Sequence, residues 1–162
     1  MWAVLVVSHT GQLMEQTALT GSRIGARFAS GYARTLLHVV SIPAVIAMAV
    51  IVFLLALWRG SRRRALWAAG TIAATNASAQ LLKHTLLWRP DFGLSQRWDA
   101  ANTLPSGHTA VAASTAVALV LVVGARWRSL TAWVGALLAA AMGYSTLVCQ
   151  WHRPGDVMAA LL

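Results

Sequence analysis

Residues 130–151 read LTAWVGALLAAAMGYSTLVCQW, a stretch without one charged side chain. As an α-helix it is about 33 Å long at 1.5 Å per residue. The hydrocarbon core of a bilayer is about 30 Å thick. A lone strand in lipid would leave its backbone N–H and C=O groups unpaired, whereas a helix pairs them internally. The stretch therefore predicts a transmembrane helix. Three further runs of this kind lie upstream: His108–Ala125, Ala65–Leu82 (extending through Lys83 to Trp88), and Leu36–Trp58, where His38 is the one ionisable side chain. A span takes about 20 residues, with roughly 17 to 25 tolerated. The expected fold is an all-α polytopic transmembrane bundle of four full spans, with the start of another in DVMAALL at 156–162.

Composition agrees. The 162 residues are 58% hydrophobic and only 10% charged, against about a quarter charged in soluble domains. The length suits one small domain. The net charge of +9 comes from twelve arginines and one lysine. They gather at the ends of apolar runs, which fits anionic head groups and topology better than nucleic acid. The one cysteine, Cys149, excludes an internal disulfide and a thiolate metal cluster. The opening MWAVLVVSHT lacks a basic n-region and makes a poor signal peptide, and Met1–Val7 is too short to span.

The connections 59–64 (RGSRRR) and 126–129 (RWRS) fall on one side of an antiparallel bundle and together hold six arginines. That side is expected in the cytoplasm, which puts the Arg89–Gly107 loop and His152 outside. Arg23, Arg27 and Arg34 pull the other way. Beside them Ile24 and Phe28 sit one helical turn apart, so residues 1–35 form an N-terminal segment carrying either a basic interfacial helix or a loop with a helical turn. Residues 36–162 form the membrane domain.

Some span residues are polar. Asn76, Gln80, Lys83 and Leu87 lie on one helix face, which must point into the bundle or toward water. Asn76 and Gln80 read as interhelical hydrogen-bonding groups; Lys83 either snorkels or serves a site. Gly135, Ala139 and Gly143 form a small-residue seam for close helix packing. Ser145, Cys149 and His152 share a face of the last span, where Cys149 reads as a small buried residue.

Helix alternation brings three clusters to one membrane face: KHTLLWRP at 83–90, PSGH at 105–108 and WHRPGD at 151–156. Lys83 and Arg89 offer fixed positive charge suited to phosphate oxygens. Ser106 and Gly107 precede a helix, so their N–H groups form a natural anion cradle. His108 can donate a proton. His152 and Asp156 are one helical turn apart, so the carboxylate can hold one ring nitrogen and leave the other free to attack.

Together these clusters resemble the signature of the type 2 phosphatidic acid phosphatase family, the lipid phosphate phosphatase relatives of the vanadium haloperoxidases: K-x6-R-P, then P-S-G-H, then S-R-x5-H-x3-D. The resemblance runs from Leu36 to the end. It implies a six-helix core, of which this chain would lack the first helix and most of the last. It also implies a phosphatase of membrane lipids that needs neither metal nor cofactor and works through a phosphohistidine. His152 then resembles the nucleophile, Asp156 its orienting carboxylate and His108 the general acid. Lys83, Arg89, Ser106 and Gly107 resemble the phosphate clamp. The implied substrates are phosphatidate, phosphatidylglycerol phosphate or polyprenyl diphosphates, met in the plasma membrane on its extracytoplasmic side. This sequence departs twice: five residues separate Lys83 from Arg89, and Thr146 stands where the family has arginine. Arg153 or Arg97 is the candidate replacement. The alternative reading is a catalytically impaired protein of the same fold that binds lipid phosphate; a purely structural bundle or a nucleic-acid binder fits the clusters less well.

Overall fold

The computed structural model describes residues 1–162 except 40, 41, 59, 60 and 95–101; of residues 25, 27–29, 39, 42–46 and 49 it describes the backbone alone. Among the described residues every regular element is helical. A π-helical turn at Ala3–Val7 leads to α1 (His9–Gly21), α2 (Arg23–Val39), α3 (Ile42–Trp58), α4 (Arg62–Leu81), a second π-helical turn at Leu82–Leu86, α5 (Gly107–Val122), α6 (Ala125–Val148) and α7 (Pro154–Leu161). Serines start three of the helices: the hydroxyls of Ser8, Ser61 and Ser106 accept from the N–H groups of Gly11, Arg64 and Thr109. Each satisfies one of the amides that a helix start leaves without a partner.

Two boundaries differ from the expected ones. Within the run from Leu36 to Trp58, α2 is described to Val39 and α3 from Ile42. Arg126–Ser129 is not a turn but the first turn of α6, because Val123 and Gly124 alone make the connection from α5. Arg62–Arg64 likewise open α4. Cations at a helix N-terminus oppose the macrodipole, so these arginines do not serve helix stability.

α5 is the central helix, packed on α3, α4, α6 and α7, while α2 lies along α6. The consecutive helices α4, α5 and α6 run antiparallel. Ala65, Ala68 and Ile72 of α4 cluster with Ala118 and Val122 at the far end of α5. Asn76 bonds Ser114 across the pair at 3.4 Å and donates to Ile72 O at 2.8 Å. The small-residue seam works as packing: a Cβ on Gly135 would meet Ala116 Cβ at 2.5 Å, and one on Gly143 would meet Val157 Cγ1 at 2.5 Å. Neither position has room for a methyl group while these neighbours keep their places.

The packing is small inside and large outside. Val52, Ala56, Ala65, Ala68, Ile72, Ala118 and Val122 form the buried cluster, while Leu130, Trp133, Leu137 and Leu138 of α6 face outward. In water such a surface would be costly, at about 25 cal/mol per Å² of apolar area. In lipid it costs nothing, and small residues then set how closely helices approach. Trp58, Trp67, Trp127 and Trp133 stand exposed near the arginine-bearing end, the arrangement of an interfacial aromatic belt. Among the described residues one helix, α6, is both long and apolar enough to cross a bilayer.

Candidate active site

At the end of the bundle opposite those arginines, the ends of α4 and α6 meet the starts of α5 and α7. Ser106 caps α5 and is fully buried; its hydroxyl accepts from the Thr109 hydroxyl at 3.1 Å. Its own N–H donates to Asp156 O at 2.9 Å and is therefore occupied. The amides of Gly107 and His108 follow in the first turn, where no intrahelical carbonyl meets them. Gly107 lies beside Gln80: a Cβ there would sit 3.9 Å from Gln80 Nε2. The ring of His108 lies 5.5 Å from that of Trp151, tilted by 56°, and His152 and Lys83 lie within electrostatic range of it.

α6 ends at Val148 and the chain reverses at Gln150, whose φ is 61°. A non-glycine residue with positive φ is uncommon and needs support. The Gln150 side chain supplies it, donating to Leu19 O at 2.9 Å and Ser22 Oγ at 2.8 Å. After this reversal the N–H groups of Trp151 and His152 both donate to Thr146 O. His152 thus precedes Arg153, the cap of α7, and the four-residue spacing to Asp156 is a capping turn rather than a turn inside a helix.

Asp156, 1% exposed, gathers this turn. Its Oδ2 accepts from Thr103 Oγ1 at 2.6 Å, from the Arg153 N–H at 2.9 Å and from His152 Nδ1 at 3.2 Å. A carboxylate can only accept, so Nδ1 carries the hydrogen and the lone pair of His152 lies on Nε2. Arg153 is also buried, and its Nη1 donates to Thr103 Oγ1 at 3.2 Å. Thr146 is fully buried and bonds Gly143 O of its own helix at 2.7 Å.

On the other flank the Leu82–Leu86 turn closes with Leu87 N–H donating to Leu82 O at 2.9 Å, a bond of i to i+5. Leu87 is then extended, at φ −104° and ψ 130°. The helix has therefore unwound before Trp88, and the five-residue spacing does not fix the direction of Arg89 through helical register. Lys83 is half-buried on this turn, and its carbonyl accepts from Asn102 at 3.5 Å. Arg89 Nη2 donates to Gln12 Oε1 at 2.9 Å. Burial, and then the like charge of Arg153, lower its proton affinity; Glu15 and Asp156 act in the opposite sense.

Gln12 and Glu15 were not singled out in the sequence, yet α1 brings both to the site. Gln12 is 2% and Glu15 3% exposed. Glu15 Oε1 accepts from Gly155 N–H at 2.7 Å, so α1 is fastened to the start of α7. Its Oε2 is buried with no hydrogen-bond partner. The carboxyl is pushed up to about 6, first by burial and then by the charge of Asp156, while the Gly155 N–H, Arg89 and Arg153 hold it lower. The available signal was slight: Glu15 is one of four acidic residues in the chain and shares a helix face with Gln12 and Leu19. Thr103 carried no signal at all.

The structure thus draws together His108, His152, Asp156, Arg89, Arg153, Ser106 and Gly107, with Lys83 within electrostatic reach. Arg97 lies outside the described residues. Such a site offers two imidazoles, one with a buried carboxylate behind it, and cations on two sides. That set suits capture of a phosphoryl group and its transfer to nitrogen. A family model described as the PAP2 superfamily matches residues 64–162, taking in α4 to α7 and leaving α1 to α3 outside. Comparison with curated proteins and with solved structures gave no match.

Proposed function

The chain belongs to the PAP2 superfamily, which carries phosphatase-type hydrolysis in general, and from that premise we propose a membrane-embedded lipid phosphatase that works through a phosphohistidine. The supporting observation is the buried contact of His152 Nδ1 with Asp156 Oδ2 at 3.2 Å. It fixes the tautomer and leaves Nε2 as the nucleophile. Nε2 attacks phosphorus, the bond to the lipid oxygen breaks, and His108 delivers a proton to that oxygen. Water then attacks the phosphohistidine, with His108 now accepting its proton, and inorganic phosphate leaves. For a lipid diphosphate the leaving group is the lipid monophosphate. Lys83, Arg89 and the Gly107 amide hold the phosphoryl oxygens, and fixed donors at the developing charge are typically worth 10²–10³ in rate. Arg153 supplies the guanidinium that the family pattern places at Thr146.

On this reading the amphiphile enters from a bilayer that α6 crosses with α3 to α5 as further spans, and the outward-facing leucines and tryptophans are the lipid-contacting surface. The arginine-bearing starts of α4 and α6 are cytoplasmic and the site is extracytoplasmic. An impermeant maleimide should label a cysteine introduced at Asp91 in intact cells; protection there would reverse the orientation. Candidate substrates are phosphatidate, phosphatidylglycerol phosphate and polyprenyl diphosphate. The central test is phosphate release by the detergent-solubilised chain. His152→Ala should abolish it, and unchanged release in that variant sinks the mechanism.

A second reading rests on Thr146, which stands in place of the family arginine and is bonded to its own helix. In that case the pocket binds lipid phosphate without cleaving it. Binding that depends on Lys83 and Arg89, with no release over long incubation, would select this reading.

A further inference from the structure

α1 lies outside the matched residues 64–162 and still reaches both flanks of the site. Gln12 uses three of its four hydrogen-bonding positions there. Nε2 donates to Val6 O at 2.7 Å and to Pro90 O at 2.8 Å, and Oε1 accepts from Arg89 Nη2 at 2.9 Å. The amide can stand only one way round. Flipped, its oxygen would face two carbonyls and its NH₂ would face a guanidinium, and neither pair can hydrogen-bond. Two main-chain carbonyls therefore aim the oxygen, and the oxygen aims the guanidinium. One of those carbonyls belongs to Pro90, the residue after Arg89, so the clamp is local to the arginine it directs. Three residues on, Glu15 ties the same helix to Gly155, beside Asp156.

We infer that α1 is a working part of the site, with Gln12 a positioning residue that presents Arg89 to the phosphoryl group and Glu15 setting the distance from Arg89 to the His152–Asp156 turn. This rests on the phosphate-binding reading of Arg89. Without Gln12, Arg89 keeps its charge but loses its aim, because an arginine side chain has many rotamers and a phosphate needs the fork in one of them. Both Nε2 hydrogens of Gln12 are given to carbonyls, which leaves it no donor for phosphate, so its effect must vanish once Arg89 is gone.

The experiment is a double-mutant cycle on the full chain in detergent, read by calorimetric binding of inorganic phosphate and, separately, by turnover. Gln12→Met keeps the volume and removes the three hydrogen bonds. It should weaken phosphate binding about tenfold, the scale of one charge-assisted contact. In the Arg89→Ala background the same change should have no further effect. Gln12→Asn, which keeps a buried amide but withdraws its oxygen from the guanidinium, should give the same pattern and serves where Gln12→Met does not fold. Losses that add in the double variant, or a single variant that binds like the parent, overturn the inference. Phosphate binding without turnover overturns the catalytic reading alone. No phosphate binding in the unaltered chain overturns both.

Discussion

Replacing Asp156 by asparagine tests the core of the site with a change of one atom. Oδ2 now accepts three hydrogen bonds, from Thr103, His152 and Arg153, while Oδ1 is buried with no partner. The asparagine oxygen must take the place of Oδ2, because three donors meet there. Its NH₂ is then forced into the empty Oδ1 position. Bonds to a charged acceptor contribute about 1.5–3 kcal/mol each and neutral ones about 0.5–1.5, so three bonds lose about 3 kcal/mol together. The buried NH₂ costs a further 1–3 kcal/mol or so. Relief from desolvating a carboxylate offsets part of this, leaving a net stability loss of about 2 kcal/mol. The geometry of His152 survives, since the amide oxygen still accepts from Nδ1. What disappears is the negative charge behind an imidazole that turns cationic on phosphorylation. The expected result is a kcat on the order of 10²–10⁴ lower, with KM changed less than about threefold because Asp156 does not face the phosphoryl oxygens. The assay is steady-state phosphate release from a lipid phosphate in mixed micelles, alongside thermal melting to show that the variant is folded. A folded Asp156→Asn chain with kcat within about threefold of the parent refutes the nucleophile assignment.

Two further expectations concern α1 and the helix seam. The Glu15 carboxyl holds its proton to about pH 6 in the folded chain against 4.5 ordinarily, so it favours folding below pH 4.5 and that contribution is lost as pH rises through 6. The difference corresponds to about 2 kcal/mol; melting temperatures of the parent should fall across that window relative to Glu15→Gln, and parallel curves would show that Glu15 is not perturbed. Gly143→Ala places a methyl group 2.5 Å from Val157 and should cost about 1–3 kcal/mol through overpacking. Gly70→Ala, where a Cβ meets nothing within 4 Å, should instead stabilise α4 by about 0.5–1 kcal/mol; equal melting shifts for the two would contradict the seam.

The sequence by itself determined the helices and their alternation. Uncharged runs such as 130–151 have to pair their own backbones wherever water is scarce, and that is a local requirement. Alternation then sends Lys83–Pro90, Pro105–His108 and Trp151–Asp156 to one end of the bundle without any further information. The helix boundaries were less legible, because Arg62–Arg64 of RGSRRR and the arginines of RWRS look like turn residues yet sit in the first turns of α4 and α6. Only the tertiary structure decided how the site is closed. The N–H of Ser106 is taken by a carbonyl fifty residues away in the chain, and α1 reaches Arg89 and Gly155 across separations of 77 and 140 residues. A widened turn at Leu82–Leu86, not helical register, frees the direction of Arg89. None of these contacts leaves a periodic trace in the sequence. Each is a single polar atom finding a partner in a dry interior, and the identity of that partner is settled only when the helices have packed.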